Sequence, residues 1–232
     1  MPYFEKHKVF FIHIPKNAGM FVEKQFGIPQ EIVTYEQPTD KKCFYRTLKD
    51  QYSSLKKGSK LYDLEKKYIY GQFGGSYVFQ HASLRDIIEY RILDKEVLDS
   101  SLLISVHRNP IDRAISIYKY WGFNRKMNFD EFCKKIIKNP SNVLNRFDQL
   151  MHLKPQVSFV KNSGEYEKKI FWLSFENLYE DLLNLISSRK IDIKIENKKT
   201  NKSIEKKIEI SEFSEEIIKS VYEEDFLYFG YK

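Results

Sequence analysis

Cysteine is almost missing from this chain, with Cys43 and Cys133 the two in 232 residues. Two thiols make at most one bridge, which excludes a disulfide framework and any cysteine-rich zinc site. The histidines, at positions 7, 13, 81, 107 and 152, show no H-x-x-x-H spacing, so no structural metal is expected. Nine glycines and seven prolines exclude collagen-like and low-complexity character. Long apolar runs are also lacking. The first, from Val9 to Ile14, is interrupted by His13 and is too short for the core of a signal peptide. No stretch approaches the roughly 18–20 apolar residues that span a bilayer. The expectation is a soluble, cytoplasmic chain without a membrane span, although a piece of a longer, membrane-anchored protein would look the same.

What the sequence does contain is apolar and aromatic mass: 42% hydrophobic residues, 18 Phe and 16 Tyr. That is enough for a substantial core, and the length fits a single domain over 1–232. Lysine and arginine outnumber the acids 39 to 32, a net charge of +7 that favours an anionic partner. A lysine-rich solvated surface explains the same figure, and composition does not choose between them.

Short apolar runs alternate with helical patterns. Val9 to Ile14, Tyr77 to His81, Leu102 to His107 and Ile170 to Ser174 read as strands. Helices are predicted from Gly19 to Phe26, Pro110 to about Trp121, Phe129 to Lys138, Glu176 to Ser188 and Ser214 to Phe226. Residues 36–67 are polar and read as an insertion or cap, and 189–209 as a basic loop. Strands alternating with helices indicate an α/β fold with a central, mainly parallel sheet flanked by helices.

Two segments carry chemistry. In His13-Ile14-Pro15-Lys16-Asn17-Ala18-Gly19-Met20 a buried strand turns into a helix. The first amides of such a helix have no partner and favour an anion, Gly19 permits close backbone approach, and Lys16 adds a full charge. The segment is not a Walker A loop, because Lys16 precedes the glycine instead of following it. An ordinary turn with a solvent-facing lysine fits equally well. The second segment is Arg108-Asn109-Pro110-Ile111-Asp112-Arg113-Ala114-Ile115-Ser116-Ile117-Tyr118. Asn109 suits the N-cap and Pro110 the first helical turn. Ile111, Ala114, Ile115 and Tyr118 are expected to face the core, with Asn109, Asp112, Arg113 and Ser116 on the polar side. Arg108 and Ser116 then lie roughly 12 Å apart along the axis, within reach of one phosphate. An amphipathic helix with its arginines in salt bridges is the alternative.

Taken together, the two segments resemble sulfotransferases that use 3′-phosphoadenosine 5′-phosphosulfate, in particular the carbohydrate sulfotransferase branch. There the first loop reads about H-I-P-K-[TN]-A-G-[TS] and the second block about R-[DN]-P-x-x-R-x-x-S-x-Y. Weaker echoes follow in order: Gln80-His81-Ala82-Ser83, Pro155-Gln156-Val157-Ser158-Phe159, Phe175-Glu176-Asn177-Leu178 with Asp181-Leu182, Asn201-Lys202-Ser203, and Tyr222 to Phe226 with Phe229-Gly230-Tyr231. One departure is Met20, where the family usually has Thr or Ser and so a hydroxyl for the 5′-phosphate.

The resemblance implies a P-loop-like three-layer fold and in-line transfer of a sulfuryl group to an acceptor hydroxyl, on a glycan or another small molecule. The product would be 3′-phosphoadenosine 5′-phosphate. It implies that Lys16, Asn17, Ala18, Gly19 and Met20 hold the 5′ side, with Lys16 stabilising the leaving oxygen. Arg108 and Ser116 would hold the 3′-phosphate, and Lys202 and Ser203 would close over the nucleotide. His81 is the expected base, with Glu23 and Asp86 as alternatives. His13 and His107 are expected to be buried and hydrogen-bonded, His152 to sit in a loop or on the acceptor side, and Gln156 to be either an acceptor contact or a satisfied core amide. Competing readings are a nucleotide-binding protein without transfer activity, a P-loop-like kinase and a basic nucleic-acid-binding module. The last lacks any recognised binding signature, and no nucleic acid is expected as a partner.

Overall fold

The computed structural model describes residues 3–27, 81–89, 93, 95–144, 147–196 and 208–232. The 36–67 insertion, Cys43, positions 77–80 of the second strand candidate, and the Lys202–Ser203 loop lie outside the described residues.

The described elements form a mixed α/β unit around four strands in the order β1-β2-β3-β4. Strand β1 (Tyr3–Phe4) pairs antiparallel with β2 (Val9–Ile12). Strand β2 runs parallel to β3 (Leu102–His107), and β3 parallel to β4 (Phe171–Ser174). The sheet is mainly parallel, as expected, with a short antiparallel edge that the sequence reading did not include. All four residues of β2 are buried, which is why the run lacks polar alternation. Strand β2 ends at Ile12, before His13, where the Ile14 amide turns back onto the Ile12 carbonyl.

Each face of the sheet carries its own core. Phe10, Ile12 and Leu103 pack with Leu84 and Ile87 of α2 (Leu84–Glu89) and Leu98 of α3 (Lys95–Ser100). Phe11, Ile104, Val106 and Leu173 pack on the other face with Val22 of α1 (Gly19–Gln25). A third cluster lies outside the sheet. It joins α4 (Pro110–Tyr120) and α5 (Phe129–Phe132), which continues as a π-helix over Cys133–Ile137, to α8 (Glu212–Val221) and α9 (Glu223–Phe229). Between these lie α6 (Phe147–Leu153) and α7 (Leu178–Arg189), the latter in the core that holds Val22. Cys133 is buried in the third cluster, and burial pushes its thiol up to about 12.

Two expectations need correction. The final helix is not continuous from Ser214 to Phe226: it breaks at Tyr222 into α8 and α9. Tyr222 is buried and its hydroxyl donates to the Leu153 carbonyl. The second correction concerns α4. Asn109 caps it as expected, accepting from the Ile111 amide, but Arg113 is not on the polar side. The buried stripe is Pro110, Arg113, Ala114, Ile117 and Tyr118, while Ile111 and Ile115 are half-buried. Arg113 is 1% exposed and donates to the carbonyls of Pro15 (3.1 Å), His152 (2.9 Å) and Lys154 (2.8 Å). These carbonyls lie just after β2 and at the end of α6, where the chain turns. A guanidinium with five fixed donors satisfies them at once. Asp225 and Tyr222 stand nearby and favour its charge, against the burial that opposes it.

Replacing Arg113 by alanine takes the guanidinium donors away from these three carbonyls. We expect a loss of about 3 kcal/mol or more in urea unfolding, and Arg113→Lys to recover only part of it.

Candidate functional site

The parallel strands β2 and β3 deliver their following loops to the same end of the sheet, where open α/β sheets form their binding crevices. The loop after β2 is tightly wound. Lys16 (φ 69°) and Ala18 (φ 59°) both lie in the left-handed region without being glycine. That conformation costs on the order of 1 kcal/mol per residue and persists only where neighbours impose it. Gly19, by contrast, has an ordinary φ. Its need is spatial, because a Cβ there would fall inside the imidazole of His13. The glycine therefore serves the fit of His13 against α1, a reason the sequence reading missed.

The neighbour that fixes this loop is Gln156, fully buried at the start of a 3-10 turn. Its side-chain oxygen accepts from Asn17 Nδ2 (2.6 Å) and from the Arg108 amide (2.9 Å). Its Nε2 donates to the Arg108 carbonyl (2.8 Å) and to Asp225 Oδ2 (3.2 Å). Asn17 Nδ2 also donates to the Val106 carbonyl at 2.7 Å. Asp225, from α9, accepts the backbone amides of Gln156 (2.8 Å) and Val157 (2.9 Å). Of the two readings of Gln156, the satisfied amide is the one observed. It ties the loop after β2 to the segment after β3. The Asn17 Nδ2 group is committed to this hub, while its Oδ1 is buried without a partner.

With the loops tied, Lys16 and Arg108 stand together. Arg108 Nη1 donates to the Lys16 carbonyl at 3.1 Å, and its guanidinium lies 3.9 Å from the centre of the Phe175 ring. Its Nε is buried without a hydrogen-bond partner. Burial, together with the nearby Arg108 charge, pulls the Lys16 ammonium down to about 8. Two neighbouring cations, one with an unused buried donor, form a place that can take an anion, with Asp112 and Glu176 also favouring the Arg108 charge. Ser116, two turns along α4, is half-buried. Met20 is 37% exposed, with a thioether where a hydroxyl was expected from the resemblance.

Three histidines gather after the end of β2. His13 and His81 rings meet edge to face at 4.8 Å, and His81 meets His152 at 5.4 Å. His81 ends no described strand; it sits in a turn before α2 and is buried. Its Nδ1 lies 3.0 Å from the His13 carbonyl oxygen. A carbonyl only accepts, so Nδ1 carries the proton and Nε2 keeps the lone pair. Burial first, and the neighbouring His13 and His152, hold its pKa well below the usual imidazole value, so it is neutral. His13 is buried, with Nδ1 2.6 Å from Glu23 Oε1. Glu23 is 2% exposed; its Oε1 makes that contact, and its Oε2 is buried without a hydrogen-bond partner. Asp86 lies in the first turn of α2, its amide donating to Ser83 Oγ. His152 is in helix α6, not a loop, and is buried.

His107 ends β3, half-buried, with Nδ1 2.7 Å from the Tyr231 hydroxyl and its ring stacked on Phe229 at 4.6 Å. Tyr231 donates to Glu176 Oε2 at 3.0 Å, and Glu176 Oε1 accepts the Asn109 amide. The sequence reading placed Glu176 inside a helix, but α7 begins at Leu178 and leaves this carboxylate free to brace the segment after Arg108. A separate cleft of about 400 Å³, lined by His7, Lys8, Lys169 and Arg189 among others, opens where β2 and β3 begin, at the opposite end of the sheet. It takes no part in this constellation.

The Sulfotransferase family matches residues 2–232, essentially the whole chain, and the chain belongs to that family. It is therefore a transferase whose chemistry is the movement of a sulfuryl group. No curated protein and no solved structure matches it. Among the described residues, no helix is long and apolar enough to cross a membrane.

Two substitutions test this construction. Gly19→Ala should cost about 1–3 kcal/mol by overpacking, and much of that should return in the Gly19→Ala/His13→Ala double variant, read as a coupling in thermal unfolding. Gln156→Leu removes the side-chain partner of the Arg108 amide and carbonyl and one partner each from Asn17 and Asp225. It should lower stability by about 3 kcal/mol in urea unfolding.

Proposed function

We propose that this sulfotransferase takes its sulfuryl group from 3′-phosphoadenosine 5′-phosphosulfate and passes it to a carbohydrate hydroxyl, in a P-loop-like cradle. The observation that carries the reading is the Gln156 hub, which holds the Lys16 loop and the Arg108 segment side by side. The residues present suit a doubly phosphorylated nucleotide. Arg108 has a buried Nε in want of an acceptor, and Lys16 brings a second cation. On this reading Arg108 and Ser116 take the 3′-phosphate, and Lys16 with the backbone of Asn17, Ala18, Gly19 and Met20 takes the 5′ side. Lys202 and Ser203 close over the nucleotide.

The donor supplies a sulfuryl group already activated by a phosphate leaving group. The protein supplies position and charge. His81 Nε2, neutral and with its lone pair free of the Nδ1 proton, accepts the proton of the acceptor hydroxyl as that oxygen bonds to sulfur. Lys16 meets the charge that develops on the phosphate oxygen as its bond to sulfur breaks. His13 sets the His81 tautomer through its backbone carbonyl, and Glu23 fixes the His13 ring.

Met20 supports a second reading, a protein that binds the nucleotide without transferring from it, since the loop offers no hydroxyl at that position. Calorimetry with 3′-phosphoadenosine 5′-phosphate and a sulfate-transfer assay over a panel of glycans separate the two. Binding without turnover across the panel would favour the second.

Arg108→Ala should weaken nucleotide binding at least tenfold, in keeping with the loss of a charge-assisted contact of about 1.5–3 kcal/mol. His81→Ala should bind the nucleotide as the wild type does and lose transfer. Normal turnover in that variant would remove His81 as the base. Binding should also depend on pH through Lys16. The bound anion favours the charged amine, whose pKa in the empty site is about 8. Affinity should therefore hold below pH 8 and fall above it, by up to about tenfold per pH unit, until the pKa of the bound form is reached. Lys16→Met should flatten that fall, as calorimetry at pH 7, 8 and 9 would reveal.

A further inference from the structure

Tyr120 closes helix α4 and is 60% exposed, yet its ring is engaged on several sides. The Lys16 ammonium sits 3.7 Å from the ring centre. The His152 ring stacks nearly parallel to it, at 5.6 Å and 12°, and Trp121 meets it edge-on at 5.2 Å. His152 in turn touches His81. Tyr120 and His152 thus link the lysine assigned to the leaving group to the histidine assigned to the acceptor proton. Among the described residues no carboxylate pairs with Lys16, so the ring is its counterpart. An aromatic face attracts an ammonium through its quadrupole, but weakly compared with a full anion at hydrogen-bond distance.

We propose that Tyr120 is a positioning residue that holds Lys16 while the anion cradle is empty and gives it up when an anionic donor binds, so that the ring becomes available to the acceptor only once the donor is in place. The proposal rests on the reading of Lys16 as a donor-binding residue. Its consequence is an order of events, donor first and acceptor second, set by competition for a single ammonium. The vacated ring is a flat apolar surface, joined to His81 through the stacked His152 ring, of the kind against which the face of a sugar packs.

The test follows the lysine directly. In protein carrying ¹³C-labelled lysine, the Lys16 ε-methylene should appear upfield of the other lysines because of the ring current of Tyr120. Its loss in Lys16→Met assigns it, and Tyr120→Leu should return it to the ordinary position. Saturation with 3′-phosphoadenosine 5′-phosphate should move it most of the way to that position in the wild type. Removing the competing ring should also tighten nucleotide binding about two- to tenfold in Tyr120→Leu, whereas Tyr120→Phe, which keeps the quadrupole, should match the wild type. Unchanged circular dichroism and melting temperature would show that Tyr120→Leu is folded.

Three results would overturn the proposal: no shifted methylene in the empty protein, a shifted methylene that stays put in the saturated protein, or weaker nucleotide binding by Tyr120→Leu. A wild type that takes up no nucleotide in calorimetry would remove the donor reading, and this proposal with it. Uptake with an unmoved lysine would remove the proposal alone.

Discussion

The carboxamide of Gln156 is the interaction on which the site depends. It accepts from Asn17 and the Arg108 amide, and donates to the Arg108 carbonyl and to Asp225. Hydrogen bonds in a dry interior are individually modest but expensive to leave unmade, so a group with its capacity used on different segments fixes all of them together. The left-handed backbone at Lys16 and Ala18 is held in the same way. With Asn17 between them anchored to Gln156 and to the Val106 carbonyl, the loop has little freedom to relax.

Around that amide the charges are arranged by contrast. Asp225 is buried, and burial raises its carboxyl pKa although Arg113 and the amides of Gln156 and Val157 favour its charge. Glu176 is held by the Asn109 amide, Ser174 and Tyr231. On the side of Lys16 and Arg108, burial draws both cations down, although Asp112 and Glu176 favour the Arg108 charge. Asp225 and Glu176 on the supporting side each accept several hydrogen bonds, whereas Arg108 Nε is buried without an acceptor. This asymmetry marks an anion site more firmly than the overall charge of +7 does.

Much of this was legible in the sequence where the signal was local. Strand β3 was read to the residue, and Asn109-Pro110 marked the start of α4, because caps and apolar runs are written into neighbouring positions. Arg113 was misread for a physical reason: a helical wheel sends arginine to water, and the carbonyls that keep it inside belong to Pro15, His152 and Lys154. Gln156 and Asp225 stood out only as echoes of a family pattern, because their partners lie far along the chain. Nothing at Tyr222 announced the break between α8 and α9, with neither glycine nor proline there. The packing of Tyr120 on Lys16 and the gathering of three histidines depend on tertiary placement that periodicity does not encode. The Lys202–Ser203 expectation lies outside the described residues.

Asn17 meets Gln156 across 139 positions, and Gln156 meets Asp225 across a further 69. The cradle therefore has no local precursor. A growing chain that has already made its first three strands still holds an unformed loop, and must wait for α9 to emerge before the pieces lock. Contacts of such long sequence separation form slowly and late. A proteolytic cut almost anywhere between the two loops and α9 would leave recognisable strands and helices with the ligand-holding part undone, so the smallest competent fragment is close to the full described length.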